Sequence, residues 1–282
     1  MDKPPVLTSH DVVQRVRRSL GIRAAGHTGT LDPFATGLLV VLVGRATRLA
    51  RFVEGQPKTY LAAARLGIRT DTDDLTGRIL ETSATAGSID AGLIRQVLAG
   101  LVGTRLQRPP DYSAKHVGGE RSYQKARRGE SVQLAEVSVT VHWIEVVECL
   151  PPMVTFRAAV GSGTYLRALA RDLGDQLGVG AHLTSLRREA IGALRVEDAT
   201  SLDNLGPSAL VPARDVLPHL PHVELDEAAR TAVMHGRAVE DSGEAGKRGS
   251  GTFVGLLMNG ELVAVAKAED GWLHPTVVLG TP

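Results

Sequence analysis

The sequence predicts an α+β protein in which a large mixed domain precedes a smaller β-rich one. Three observations lead there. Segments of helical and strand period alternate through the first 195 residues, joined by long, loop-rich connections. Pro207, Pro212, Pro218 and Pro221 then punctuate a short stretch that reads as a linker. Finally, the charge changes sign: residues 1–195 hold 26 basic and 18 acidic side chains, net +8, whereas 196–282 hold 6 and 13, net −7. The expected division is 1–205, a linker over 206–221, and 222–282. The whole chain of 282 residues is nearly neutral at +1, so the asymmetry and not the sum points to a polyanionic partner.

The elements follow in order. Thr8 to Leu20 reads as a helix: Thr8 and Asp11 stand at capping-box spacing, and Val12, Val13, Val16 and Leu20 form one apolar face. A glycine- and threonine-rich loop covers 26–37, and the run Leu38–Val43 suggests a buried strand. Ala46–Val53 reads as helical. Thr59–Leu66 and Arg78–Glu81 read as strands separated by the polar turn TDTDD. Ser88 is expected to cap a helix running through Leu93, Val97 and Leu98 to Gly100.

The stretch 105–129 carries seven basic residues, and its Gly118-Gly119 pair suggests a hairpin turn. Val137–Val147 and Met153–Val160 are strands meeting at Pro151-Pro152; Tyr165–Leu177 is a helix, and a strand-like run follows near Leu183. Past the linker, Thr252–Met258, Leu262–Lys267 and Pro275–Leu279 are short strands of a small β-domain.

Composition closes several doors. Hydrophobic residues make up 43% and charged residues 22%, the proportions of a folded globular chain. The longest apolar run is far short of the ~20 residues a bilayer crossing needs, so no membrane association is expected. The single cysteine, Cys149, cannot form an internal disulfide, and the first residues lack a signal layout; both fit a cytoplasmic protein.

Most cofactor chemistry fails on spacing. Gly161 and Gly163 lack the third glycine of a dinucleotide fingerprint, since Leu166 stands there, and GEAGKR lacks the spacer of a phosphate loop. The nine histidines are scattered with no paired cysteines, so no zinc site is expected. Asp71, Asp73 and Asp74 lack a downstream bidentate glutamate and read as a solvated turn. No Gly-x-Ser-x-Gly elbow is present. What survives is the loop GHTGTLDPFATG at 26–37. There Asp32 precedes a proline that biases it toward extended backbone, and glycines allow close approach of a ligand. The same residues also suit an Asx turn. The basic stretch 105–129, interleaved with Tyr112 and Tyr123, suits RNA phosphates and unstacked bases, or a solvated hairpin.

At GHTGTLDPFATGLL the sequence resembles the TruB family of tRNA pseudouridine synthases. DKP (2–4), TSHDVV (8–13), KTYLAAARLGIRTDTDD (58–74), YSAKHVGGERSYQKARRG (112–129), GTYLRALARDLG (163–174) and GAHLTSLRR (180–188) follow in the family's order. The tail from about 222 resembles, more weakly, the family's PUA-type RNA-binding appendage.

The resemblance implies a largely antiparallel mixed sheet flanked by helices. It also implies cofactor-free isomerisation of the T-loop uridine of tRNA, conventionally position 55, to pseudouridine. Asp32 then maps to the catalytic carboxylate, as nucleophile at the sugar C1′ or as base. Arg167 maps to its ion-pair partner, expected to lower the Asp32 pKa by ~1–3 units. Tyr60 maps to the tyrosine stacked on the target base, Tyr165 to a second active-site tyrosine, and Leu186 to an apolar residue against the base. His27 maps to the histidine that fills space left by flipped nucleotides. Lys3, in the DKP element, is expected at the substrate.

Three departures stand out. The chain starts at DKP, where the family has a preceding apolar strand, which would leave Lys3 near a frayed end. His116 stands where the family has lysine, so no catalytic role is assigned there. The acidic tail would meet RNA only through a small patch such as Arg237, Lys247 and Arg248. The expected partner is the tRNA T-arm stem-loop, bound by a monomer without an obligate protein partner. A tRNA-binding folding chaperone with catalysis secondary is the alternative. A guide-RNA-dependent, dyskerin-like enzyme also shares a TLDP-like core, but the long basic tails of that group are not in this sequence.

Overall fold

The computed structural model describes residues 1–112, 116–117, 120–121, 128, 134–241 and 249–280. An eight-stranded sheet forms the frame of the first domain. Its strands are β1 (Asp2–Lys3), β3 (Thr36–Leu38), β5 (Lys58–Leu66), β8 (Gly103–Gln107), β11 (Val137–Leu150), β12 (Met153–Val160), β13 (Ala181–Ile191) and β14 (Leu194–Arg195). They run in the order β1-β3-β13-β5-β12-β11-β8, with β14 paired to β13. Only the β13–β3 pair is parallel.

The central strand β5 shows the two-residue period plainly: Lys58, Tyr60, Ala62, Ala64 and Leu66 all point to buried positions. Helices α3 (Ala91–Gly100) and α4 (Leu166–Gln176) bring Ile94, Leu98, Leu166, Leu169 and Leu173 into the same apolar core.

Helix α1 (Ser9–Leu20) starts as the sequence predicts. The Thr8 hydroxyl accepts from the Asp11 N–H and the Asp11 carboxylate accepts from the Thr8 N–H, a reciprocal cap contributing about 1 kcal/mol. Val12, Val13 and Val16 are buried.

The run Leu38–Val43 is not one strand. It splits into β3 and β4 (Val41–Val43), because the chain changes sheets there: β4 pairs with β2 (Ala25–His27) outside the large sheet. Helix α3 is capped by Asp90, whose carboxylate accepts from the Leu93 N–H; Ser88 instead closes a preceding 3₁₀ turn. Two further strands, β6 (Ile68–Thr70) and β7 (Ile79–Thr82), flank the TDTDD turn. The short strands β9 (His116–Val117) and β10 (Glu120–Arg121) pair antiparallel, while the Gly118-Gly119 turn between them lies outside the described residues.

The N-terminus is not frayed: β1 pairs with β3, and the Asp2 N–H donates to the Thr200 carbonyl.

Among the described residues, the C-terminal domain is a five-stranded sheet with one α-helix, Glu227–Met234, that the sequence reading did not find. Residues 206–221 are folded into short 3₁₀ turns, and Leu217 is fully buried. It packs in an apolar cluster with Leu42, Leu49 and Phe52 from the first domain and Leu262 and Val265 from the second. Phe52 and Phe253 meet edge to face with ring centres 5.0 Å apart. Arg48 donates to the Val278 carbonyl, and Arg45 to those of Leu279 and Gly280.

Candidate active site

Asp32 lies in the loop between β2 and β3, and that loop is fixed from several sides. The Ser9 hydroxyl donates to the Leu31 carbonyl and accepts from the Leu31 N–H, holding the residue before Asp32. Gly37 has φ +102°, and a β-carbon there would stand 2.3 Å from the Arg188 carbonyl oxygen, so only glycine fits. Lys3 is fully buried. Its ammonium donates to the carbonyls of Pro4 (2.9 Å), Leu7 (2.7 Å) and Pro33 (3.2 Å), which occupies all three N–H donors. Lys3 therefore braces the loop beside Asp32 from inside.

Arg167 reaches the loop from the first turn of α4. Its Nε donates to Asp32 Oδ2 and its Nη2 to Oδ1, both at 2.9 Å, a bidentate pair. The remaining donors meet backbone: Nη1 to the Thr72 carbonyl at 3.0 Å and Nη2 to the Tyr112 carbonyl at 2.9 Å. Asp74 Oδ2 lies 3.6 Å from Nη1. Arg167 is only 4% exposed while the Asp32 side chain is 31% exposed, so the carboxylate keeps one side open to a ligand.

Gln107, buried at the end of β8, sets the start of α4. Its side-chain amide donates to the Tyr165 carbonyl and accepts from the Tyr165 N–H.

The TDTDD segment is not a solvated turn, because Asp73 and Asp74 are buried. Asp74 accepts from the hydroxyls of Thr72 and Thr76, and Asp73 pairs with Arg171 at 2.8 Å. Arg167 and Arg171 stand one helical turn apart, so a single face of α4 grips both the Asp32 loop and this turn.

Burial dominates the electrostatics. It pushes the Asp32 carboxyl above the ordinary carboxylate range, with Arg167 pulling down and Asp74 adding to the rise. The sequence expectation of a lowered pKa takes the guanidinium alone; in the fold, desolvation outweighs it. Burial likewise pushes Asp73 up to about 6 against the pull of Arg171, and Lys3 down to about 8. His27 is lowered by burial and by the Arg188 charge.

Tyr60, Leu186 and Leu31 share one apolar cluster, with Leu186 on β13 opposite Ala62 on β5, two residues from Tyr60. Tyr165 caps α4, two residues before Arg167, and is half-buried. His27, at the end of β2, is half-buried, and its Nδ1 has no hydrogen-bond partner among the described residues.

Of the basic stretch, Arg105 turns inward to Asp172 at 3.0 Å, and Arg108 pairs with Asp111. Lys115, Tyr123, Lys125 and Arg127, the Arg121 side chain, and Lys247 and Arg248 lie outside the described residues. The sequence reading passed over a second basic run. From Val12 to Val53 the only acid is Asp32, among seven arginines, and Arg15, Arg18, Arg23, Arg45, Arg48 and Arg51 are exposed. The missed signal was this run of more than forty residues with a single acid.

A buried arginine holds a half-open carboxylate in a glycine-rich loop, on a largely antiparallel sheet with an appended β-domain, and the fold is that of the pseudouridine synthases. Solved structures of that architecture agree. The "Structure of H/ACA RNP bound to a substrate RNA containing 2'-deoxyuridine" superposes with a TM-score of 0.75 at 26% identity, covering 99% of this chain and 83% of that one. The archaeal box H/ACA sRNP Nop10-Cbf5 complex gives 0.73 at 26% identity, covering 99% and 85%.

The chain belongs to the TruB family of pseudouridylate synthases. Residues 17–166 match the N-terminal domain of that family, and 167–215 match the tRNA pseudouridylate synthase B C-terminal domain. Similar relatives include the tRNA pseudouridine synthase B of Thermobifida fusca (strain YX), 43% identical over 99% of this chain and 96% of the relative. That of Arthrobacter sp. (strain FB24) is 40% identical over 99% and 94%. Among the described residues, no helix is long and apolar enough to cross a membrane.

Proposed function

We propose that this enzyme converts the T-loop uridine at position 55 of tRNA to pseudouridine, with Asp32 as the group that acts on the sugar. The bidentate Asp32–Arg167 pair carries this reading, because it presents an oriented carboxylate that stays partly open to a ligand. The reaction breaks the bond from C1′ to N1, turns the uracil, and joins C1′ to C5; C5 loses a proton and the freed N1 takes one up. Asp32 serves it by bonding to C1′ or by taking the C2′ proton, and both routes need the ionised carboxylate.

Tyr60 and Leu186 supply an apolar floor for the extruded base, Tyr165 flanks it, and His27 stands on the neighbouring strand to fill the gap in the stack. Lys3 serves the substrate indirectly, through the loop it braces. The exposed arginines on both sides of the loop neutralise phosphates of a T-arm stem-loop bound by a monomer. The activity is that of a cytoplasmic RNA-modifying enzyme working without a cofactor.

The test is an unmodified T-arm stem-loop incubated with purified enzyme and mapped for pseudouridine at nucleotide resolution. Formation at position 55, its loss in Asp32→Asn, and retained stem-loop binding by that variant are expected. Turnover by Asp32→Asn would remove Asp32 from the chemistry.

A further inference from the structure

The loop that carries Asp32 rests on a second buried cation that the proposed chemistry does not use. Arg188, near the end of β13, is 0% exposed. Its Nε donates to the Leu38 carbonyl at 2.7 Å and its Nη2 to the Gly29 carbonyl at 3.0 Å. Those two carbonyls lie on either side of Asp32, three residues before it and six after, so one planar group ties both arms of the loop together.

Among the described residues no carboxylate pairs with Arg188, and its Nη1 has no acceptor. Lys58, Lys3 and His27 all feel its charge; burial chiefly pushes the two lysines down to about 8, while Asp32 and Glu54 act on them in the opposite direction. A buried guanidinium with no carboxylate bonded to it is a poor way to fill space, since an apolar side chain of similar volume packs without the desolvation cost. The fork geometry, which spans two carbonyls at a fixed separation, is what an apolar residue or a lysine does not provide. The backbone of Arg188 is committed to the same region: it pairs with Gly37 across the parallel ladder and with Tyr60 on β5.

We propose that Arg188 is a positioning residue for the reaction, clamping Gly29 and Leu38 so that the intervening loop holds Asp32 at the distance and angle at which Arg167 and the sugar both reach it. The proposal rests on Asp32 being the catalytic carboxylate. It assigns Arg188 no contact with RNA, so its loss should act on the chemical step and leave binding in place.

The test uses the full-length enzyme, a T-arm stem-loop, and the variants Arg188→Met and Arg188→Lys beside Asp32→Asn. Single-turnover rate, stem-loop Kd and thermal melting are measured for each. Arg188→Met should lose about 100-fold in rate, the size expected when a reacting group is displaced by about 1 Å, with Kd within about threefold of wild type. Arg188→Lys, which reaches one carbonyl, should recover about tenfold of that loss.

A folded Arg188→Met with wild-type rate, or one whose Kd rises while its rate is kept, overturns the proposal. If Arg188→Met does not fold, a folded Arg188→Lys decides in the same way: a reduced rate at unchanged Kd supports the proposal and a wild-type rate overturns it. Failure of both to fold assigns Arg188 to stability alone and also overturns it. An active Asp32→Asn would sink the reading of Asp32 itself, separately from any result at Arg188.

Discussion

Replacing Arg167 by lysine and by methionine separates what its charge does from what its shape does. The guanidinium makes four hydrogen bonds of 2.9–3.0 Å, two to Asp32 and one each to the carbonyls of Thr72 and Tyr112. A lysine ammonium on a flexible stem can keep one bond to Asp32, and it leaves backbone carbonyls without their donor. Losing one charge-assisted bond costs about 1.5–3 kcal/mol, and stranding a buried carbonyl about 1–3 kcal/mol. Arg167→Lys should therefore be about 3–5 kcal/mol less stable, and slower by about 100-fold because Asp32 is no longer held at two points.

Its rate should still fall on the acid side at nearly the wild-type pH, since a positive charge remains beside Asp32. In Arg167→Met that charge is gone. The Asp32 carboxyl, already raised by burial, should rise further once the Arg167 charge that pulls it down is removed, moving the acid limb toward neutral pH. The assay is single-turnover pseudouridine formation on a T-arm stem-loop from acid to mildly alkaline pH, with melting curves alongside. An Arg167→Met limb at the wild-type position would refute the claim that Arg167 sustains Asp32 ionisation. A wild-type plateau in Arg167→Lys would refute the need for the fork.

Three further outcomes are expected. Asp73, raised to about 6 by burial, binds its proton in the folded state at pH values where the unfolded chain has released it. Its contribution to stability should therefore fall as pH rises from about 4 to about 6, by up to ~3 kcal/mol, and Asp73→Asn should flatten that slope in urea unfolding. Equal slopes would contradict the burial argument. Gly37→Ala places a β-carbon against the Arg188 carbonyl at φ +102°, and should cost about 2–4 kcal/mol in the same assay; a neutral effect would show the β3–β13 approach to be looser than described. Stem-loop affinity should drop steeply between low and physiological salt as counterions are released, whereas a flat response would mean that the arginine surfaces do not meet phosphates.

Local chemistry was legible in the sequence, and long-range partnership was not. The Thr8–Asp11 cap, the alternation along Lys58–Leu66 and the hairpin at Pro151-Pro152 are written within a few residues, and the fold contains all three. Asp73 and Asp74 look like a solvated turn because the arginines that compensate their burial stand almost a hundred residues away on α4. Leu38–Val43 reads as one apolar strand because apolarity does not record which sheet each half joins. At the site, motif order located Asp32 and Arg167. It could not show that Lys3 and Arg188 sit beneath the loop, since buried cations paired only with carbonyls leave no complementary charge to find. Nor could it weigh desolvation against the Arg167 charge, which is a property of the packed interior.

The joint between the two domains has a consequence for how RNA approaches. Leu49, Phe52 and Phe253 pack across it, and Arg45 and Arg48 donate to carbonyls at the end of the last strand, so the two units share a packed contact. The chain divides its charge unevenly, with net +8 over residues 1–195 and −7 over residues 196–282. In its field a polyanion feels a torque as well as an attraction, and it is turned before it touches the surface. The expected consequence is that the acidic segment repels RNA while the basic segment draws it.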